Sequence, residues 1–265
     1  MKSVRVGDIQ MNYRITGTGK PIVLLHGYGF DSTSWDGVIA FLKEDYKIIL
    51  PDFPGFGMSE GSGYSVTVEV LAKLVNDIII SEKVTPLPII GHSMGGYVAL
   101  NILKLYPENL IGLGLLHSHP FADDEKKKRE REKGIKFVHK YGSQRYAKET
   151  LPYLFDEQYK MENPEHLEMM VKGIAEIPEE IIGTYLRAMI NRSDTSDLLV
   201  NIPYPLLLQL GETDKTIPLE KGLETSILPD VCLLQILYGI GHMGLIEQAG
   251  ITAQNIRGYL ELLQY

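Results

Sequence analysis

Leu87-Pro88-Ile89-Ile90-Gly91-His92-Ser93-Met94-Gly95-Gly96 decides how this chain folds. An apolar run enters Gly-x-Ser-x-Gly. A segment of helical period leaves it, with Val98, Ala99, Ile102 and Leu105 on one face. Strand, sharp turn and helix in that order make a nucleophile elbow. The turn is so tight that the residues two before and two after the serine must be small, and Gly91 and Gly95 are. It lifts the Ser93 hydroxyl clear of the sheet edge. It also sets the Met94 N–H at a helix N-terminus, where free donors and the helix dipole favour negative charge.

Outward from the elbow, short apolar runs recur at 22–25, 48–50, 87–90, 111–116, 206–210 and 231–237. They are continuous rather than alternating, as in strands buried on both faces of a parallel sheet. Residues 3–16 instead alternate about Gly7-Asp8, a hairpin signal. Helical periods fill 66–81 and 94–106, the latter stopped by Pro107. Alternating strand and helix predicts an α/β fold with right-handed crossovers. From Pro120 to Asn201 strand signals vanish, and helical stretches run over 123–141, 143–151, 164–176 and 178–191. Such an insertion covers the carboxyl edge of a parallel sheet, where ligands bind. Residues 1–119 and 202–265 are therefore expected to form the core, and 120–201 a helical cap.

A serine hydroxyl needs a base to become a nucleophile near neutral pH. Of seven histidines, His242 follows the last strand-like run, in Gly239-Ile240-Gly241-His242, on the same sheet edge as Ser93. An acid must hold that imidazole in one tautomer. Asp214, just past the 206–210 strand, is the candidate; Glu212 is its nearest rival, and Asp123 and Asp124 are more distant ones. The oxyanion needs two donors: Met94 N–H is one, and Tyr28 N–H, in His26-Gly27-Tyr28-Gly29, the other. Asp52, beside Pro54-Gly55, reads as a turn-forming residue. His26 reads as a loop-fixing histidine, and His92 as pointing away from the reacting centre.

Together His26 to Gly29, Asp52-Phe53-Pro54-Gly55-Phe56-Gly57-Met58-Ser59, Gly91 to Gly96, Gly211 to Pro218 and Gly241-His242 resemble the α/β-hydrolase superfamily, of the type with a helical cap. The resemblance spans nearly the whole chain, and the order Ser, Asp, His matches it. It implies an eight-stranded, mostly parallel sheet flanked by helices and opened by an antiparallel hairpin strand. It also implies the roles given above for Ser93, Asp214, His242, Tyr28 and Met94. Relatives that are haloalkane dehalogenases or epoxide hydrolases carry aspartate at the elbow; with Ser93 there, acyl-serine chemistry is expected. The expected reaction is hydrolysis of a small or medium, mainly apolar carboxylic ester. Perhydrolase or haloperoxidase-like chemistry, C–C bond hydrolysis, lactone opening and a menaquinone-pathway lyase share the scaffold. A non-catalytic ligand-binding scaffold is a further alternative.

Composition narrows the partners. The 265 residues carry a formal charge of −8, against nucleic-acid binding. The charge run 125–132, which includes Arg131, reads as a solvated helix face. No apolar stretch approaches the ~20 residues of a membrane span, and the N-terminus lacks a signal-peptide core, so a cytoplasmic enzyme is expected. Cys232, the single cysteine, reads as a buried small hydrophobe. His117 and His119 would face one way if extended, but no third ligand has suitable spacing, so no metal is expected. No cofactor is expected either. A small-molecule substrate is the expected partner, and nothing in the sequence specifies an oligomeric state. His119, Phe121 and Trp35 are candidates to line the pocket, with plain packing the alternative reading for Trp35 and Phe121. A buried arginine or lysine there would point to an anionic substrate and an apolar wall to simple esters; Arg187 and Arg192 are in the inserted region.

Overall fold

The computed structural model describes residues 2–6, 9–61 and 66–265; the turn expected at Gly7-Asp8 lies outside them. Eight strands form one sheet: β1 (Lys2–Val6), β2 (Ile9–Thr16), β3 (Lys20–Leu25), β4 (Tyr46–Pro51), β5 (Leu87–His92), β6 (Leu110–Leu116), β7 (Leu206–Gly211) and β8 (Cys232–Leu237). Their order is β1-β2-β4-β3-β5-β6-β7-β8. The first two pairings, β1–β2 and β2–β4, are antiparallel, and all later ones are parallel. This is the α/β-hydrolase sheet that the resemblance implies.

The apolar runs are continuous because both faces are covered. In β3, Val23 and Leu25 enter a core shared with α2 (Val68–Glu82) and α3 (Met94–Leu105). Ile22 and Leu24 enter the opposite core, shared with α1 (Asp36–Leu42) and α10 (Ala249–Leu262). Each buried aliphatic side chain contributes about 1.5–3 kcal/mol, whereas an exposed ion pair contributes about 0–1. The sandwich of helices on the sheet therefore dominates stability. Edge strand β8 is half-buried through Leu233 to Ile236, and Cys232 is half-buried rather than buried. No described helix is long and apolar enough to cross a membrane.

Between β6 and β7 the chain folds into α4 (Glu125–Thr150), α5 (Glu157–Glu162), α6 (Pro164–Ala175) and α7 (Glu179–Ile190). Helix α4 is broken at Gly142, where φ is 82°, between the two helical stretches read from sequence. Helix α5 and the short 3-10 turns Leu151–Leu154 and Ser196–Leu199 are too brief for a period to show. The remaining helices, α8 (Leu219–Ser226) and α9 (Gly244–Glu247), follow β7 and β8.

Asp52 is a turn residue by its bonds. Its Oδ1 accepts Ser32 N–H at 2.8 Å and its Oδ2 accepts Met58 N–H at 3.1 Å. Asp52→Ala strands both donors, so unfolding free energy is expected to fall by about 2–4 kcal/mol. Urea unfolding measures this, and a loss below about 0.5 kcal/mol, the level of a neutral surface change, would contradict the structural role.

Candidate active site

The elbow between β5 and α3 has the geometry its glycines require. A Cβ on Gly91 would lie 2.3 Å from the Gly95 backbone, and one on Gly95 2.4 Å from the Leu25 carbonyl oxygen. Ser93 itself sits at φ 51°, ψ −118°, a region that costs a non-glycine residue about 1–3 kcal/mol. Its backbone is pinned on both sides: Ser93 N–H donates to the Leu116 carbonyl at 2.9 Å, and Ser118 Oγ–H donates to the Ser93 carbonyl at 2.8 Å.

The loop after β8 delivers His242 to this point. His242 Nε2 is 2.9 Å from Ser93 Oγ, and its Nδ1 is 2.8 Å from Asp214 Oδ2. A carboxylate only accepts, so Nδ1 carries the proton and Nε2 is left to accept from the serine. The loop is tied to the inserted helices: His242 N–H donates to the Leu154 carbonyl at 2.7 Å. Gly241 is required there, since its Cβ would lie 2.8 Å from that same oxygen. Glu247 gathers the loop by accepting three backbone N–H groups, from Asp156, Gly241 and Met243. Its only sequence signal is an acid five residues beyond His242.

Asp214 Oδ1 accepts N–H bonds from Thr216 and Ile217 at 2.8 and 2.9 Å. Its Oδ2 is shared by His242 and, at 3.4 Å, by His117 Nδ1. Burial pushes the Asp214 carboxyl up, but the two imidazoles more than offset this and hold it well below the usual carboxylate range. The rivals are engaged elsewhere. Glu212 accepts Gly239 N–H, Asp124 caps α4, and Asp123 pairs with two arginines.

His117 differs from its sequence reading. With φ at 49° the chain is not extended, so His117 and His119 diverge. His117 turns to Asp214, while His119 packs beside Tyr97 and Phe121. Ligating atoms of His117, Asp214 and His242 lie within 4.8 Å of one another because they bond to each other. His92 also departs from expectation: it faces the site, its Nε2 2.9 Å from the His242 carbonyl. Burial first, and then the two neighbouring imidazoles, hold His92 well below the usual histidine range, so it is a neutral donor. His26 bridges loops, with Phe53 N–H donating to its Nε2 at 2.9 Å.

A cavity of about 70 Å³ lies against Ser93 and His242, bounded by Tyr28, Tyr97, Arg131 and Met189. It adjoins a larger one of about 410 Å³ that shares Tyr28, Phe30, Arg131, Leu154 and Thr216. Among the described residues, neither Tyr28 nor Met94 N–H donates to a protein acceptor. The Tyr28 side chain is anchored to the inserted helices, its hydroxyl 3.3 Å from that of Tyr146. His119 and Phe121 line a neighbouring cavity of about 280 Å³ rather than the one at Ser93. Trp35 lines neither: it is fully buried in the core with Leu24 and Leu42. Arg187 lies in a surface hollow with Glu132 and His139. Arg192 is buried, with Nη1 2.7 Å from Asp123 and its guanidinium 4.1 Å over the Tyr97 ring. Arg131, read from sequence as solvated, instead turns inward and pairs with Asp123 at 2.6 Å.

Residues 22–254 match the profile of the Alpha/beta hydrolase family, and the chain belongs to that family. A pyrrolizixenacetamide deacetylase of Xenorhabdus hominickii is 33% identical over 129 residues, 48% of each chain, so the match spans about half the length of that relative. A 2-hydroxy-6-oxo-6-phenylhexa-2,4-dienoate hydrolase of Comamonas testosteroni is 28% identical over 94% of this chain and 87% of its own. The structure of a thermophilic esterase from Thermogutta terrifontis, with malate bound, superposes with a TM-score of 0.93 at 27% identity over all of both chains.

Proposed function

We propose that this protein is a serine hydrolase that cleaves small or medium carboxylic esters through an acyl-serine intermediate. The observation that carries this reading is the unbroken line of bonds from Ser93 Oγ to His242 Nε2 and from His242 Nδ1 to Asp214. The likeness to an esterase over the full chain supports it.

In the proposed reaction His242 Nε2 takes the Ser93 proton as Oγ attacks the ester carbonyl. The oxyanion is received by Tyr28 and Met94 N–H, each donor being worth about 3–4 kcal/mol in the transition state. The C–O bond to the alcohol breaks, and His242 returns the proton to the leaving oxygen. Water, deprotonated by the same imidazole, then attacks the acyl carbon; the bond from that carbon to Ser93 Oγ breaks, the imidazolium returns the proton to Oγ, and the acid is released. Asp214 keeps the imidazole oriented and stabilises its cationic form. Residues 120–201 act as a cap over a core of 1–119 and 202–265, and their side chains select the substrate.

The test is covalent. Fluorophosphonate is expected to label Ser93 stoichiometrically, and p-nitrophenyl butyrate to give a burst of p-nitrophenol. Absence of labelling in folded protein would sink the proposal. A second reading, hydrolysis of a C–C bond, draws on the likeness to the dienoate hydrolase over 94% of the chain. Rates on matched esters, lactones and that relative's named substrate separate the two.

A further inference from the structure

Two arginines share one buried carboxylate beside the proposed nucleophile. Asp123 Oδ1 meets Arg192 Nη1 at 2.7 Å, and Asp123 Oδ2 meets Arg131 Nε at 2.6 Å. The Asp123 and Arg192 side chains are only 2% and 3% exposed, and that of Arg131 is 12% exposed. The cluster therefore carries a surplus positive charge away from bulk water, where an unpaired charge is costly. Other acids do not cancel it at close range. Glu130 pairs with Lys127 and Glu149 with Arg145. The Asp214 oxygens are already taken by Thr216, Ile217, His242 and His117.

The two arginines are not equivalent. Both terminal nitrogens of Arg192 are taken: besides Asp123, they donate to the Met189 and Phe121 carbonyls, and the guanidinium stacks on Tyr97; only its buried Nε lacks a partner, and Arg192 lines neither cavity at Ser93. Arg131 differs. Its Nε edge faces Asp123, with Nη2 only 3.5 Å from Oδ1, while Nη1 has the Met189 thioether at 3.2 Å. A thioether is a weak acceptor. Nη2 uses one hydrogen toward Asp123, so its second hydrogen and the parallel one on Nη1 form a planar end-on fork for which the described residues supply no oxygen acceptor, and such a fork matches a carboxylate bidentately. Arg131 also lines both the small cavity that holds Ser93 and the larger one outside it.

We infer that Arg131 is the recognition point for a carboxylate carried by the substrate, so that the preferred substrate is an anionic ester with its carboxylate a short chain from the scissile carbonyl. Asp123 and Arg192 act as positioning residues that hold the guanidinium flat and hand its second edge to the cleft. The inference deepens the proposed function and rests on Ser93 as the attacking group.

The experiment uses two matched pairs: monomethyl succinate with dimethyl succinate, and O-acetylglycolate with its methyl ester. The first pair puts the carboxylate on the acyl side, the second on the alcohol side. In the wild-type protein one carboxylate ester is expected to exceed its methylated partner in kcat/KM by about 10- to 100-fold. Arg131→Gln is expected to erase that ratio and Arg131→Lys to keep part of it. Calorimetric titration of Ser93→Ala with the same two carboxylate esters gives a readout independent of turnover, and binding is expected to vanish in the Ser93→Ala, Arg131→Gln protein. Ester hydrolysis with no carboxylate preference, or a preference that survives Arg131→Gln in folded protein, overturns the inference and leaves the esterase reading standing. Arg131-dependent binding without ester turnover supports Arg131 as the carboxylate recognition point and sinks the esterase reading together with the ester as its substrate.

Discussion

Ser93→Ala is expected to lower kcat for p-nitrophenyl butyrate by about 10⁶-fold, with the protein still folded. The hydroxyl is the group that would bond to the acyl carbon, so no neighbour takes over its role. What remains is catalysis by the oxyanion donors and by binding, about 10³–10⁴ above water. Stability supplies an independent check on the elbow. Alanine at φ 51°, ψ −118° keeps the strain of the native residue, whereas glycine has no Cβ to clash there. Ser93→Gly is therefore expected to be as inactive as Ser93→Ala but more stable by about 1–3 kcal/mol, read by urea unfolding. An alanine variant that keeps more than a thousandth of the activity would remove Ser93 from the mechanism, and equal stability of the two variants would show that the elbow stores no strain.

The backbone of this fold was legible in the sequence because its signals are local. Four consecutive buried residues in β3, or Gly91 and Gly95 about Ser93, are dictated by what touches each residue, and the residue type records it. Ser93, Asp214 and His242 each lie in the loop or turn that follows a strand at one sheet edge, so topology brings them together without fine detail. The cleft wall was not legible for the opposite reason: its members depend on how α4 and α7 lie over the sheet. Trp35 is aromatic and near the His26–Gly29 loop in sequence, yet it fills the core. Arg131 sits in a charge run, and composition alone made it a surface residue. Its helical phase told otherwise, since Arg131 lies four residues before buried Ile135 and seven before buried Val138, on the face α4 turns inward. The turn of His117 toward Asp214 was not legible because a positive φ at a non-glycine residue leaves no trace in composition.

Asp214→Asn is expected to lower kcat by about 10⁴-fold while leaving the fold intact. The asparagine carbonyl oxygen still accepts the Thr216 and Ile217 N–H bonds, so the turn survives. Its amide then faces His242 Nδ1 and donates where the carboxylate accepted. Nδ1 must accept, the proton moves to Nε2, and a protonated Nε2 facing Ser93 Oγ cannot take the serine proton. A loss below tenfold would mean that another group orients His242. The same substitution tests the charge through stability. In the folded protein, burial raises the Asp214 carboxyl but His242 and His117 overcome it, so its pKa lies below the unfolded value of about 3.9. The unfolded chain then binds more protons across the carboxylate range, and stability rises with pH there. The contribution is complete above about pH 5, begins to be lost as pH falls below about 4, and is gone only once pH passes through the depressed folded-state pKa. Urea unfolding of the wild-type protein is expected to weaken more steeply from about pH 5 to pH 3 than that of Asp214→Asn, so that the gap between the two curves narrows in acid. Parallel curves would place the stabilising charge elsewhere, and the shared hold of His242 and His117 on Asp214 would then carry orientation alone.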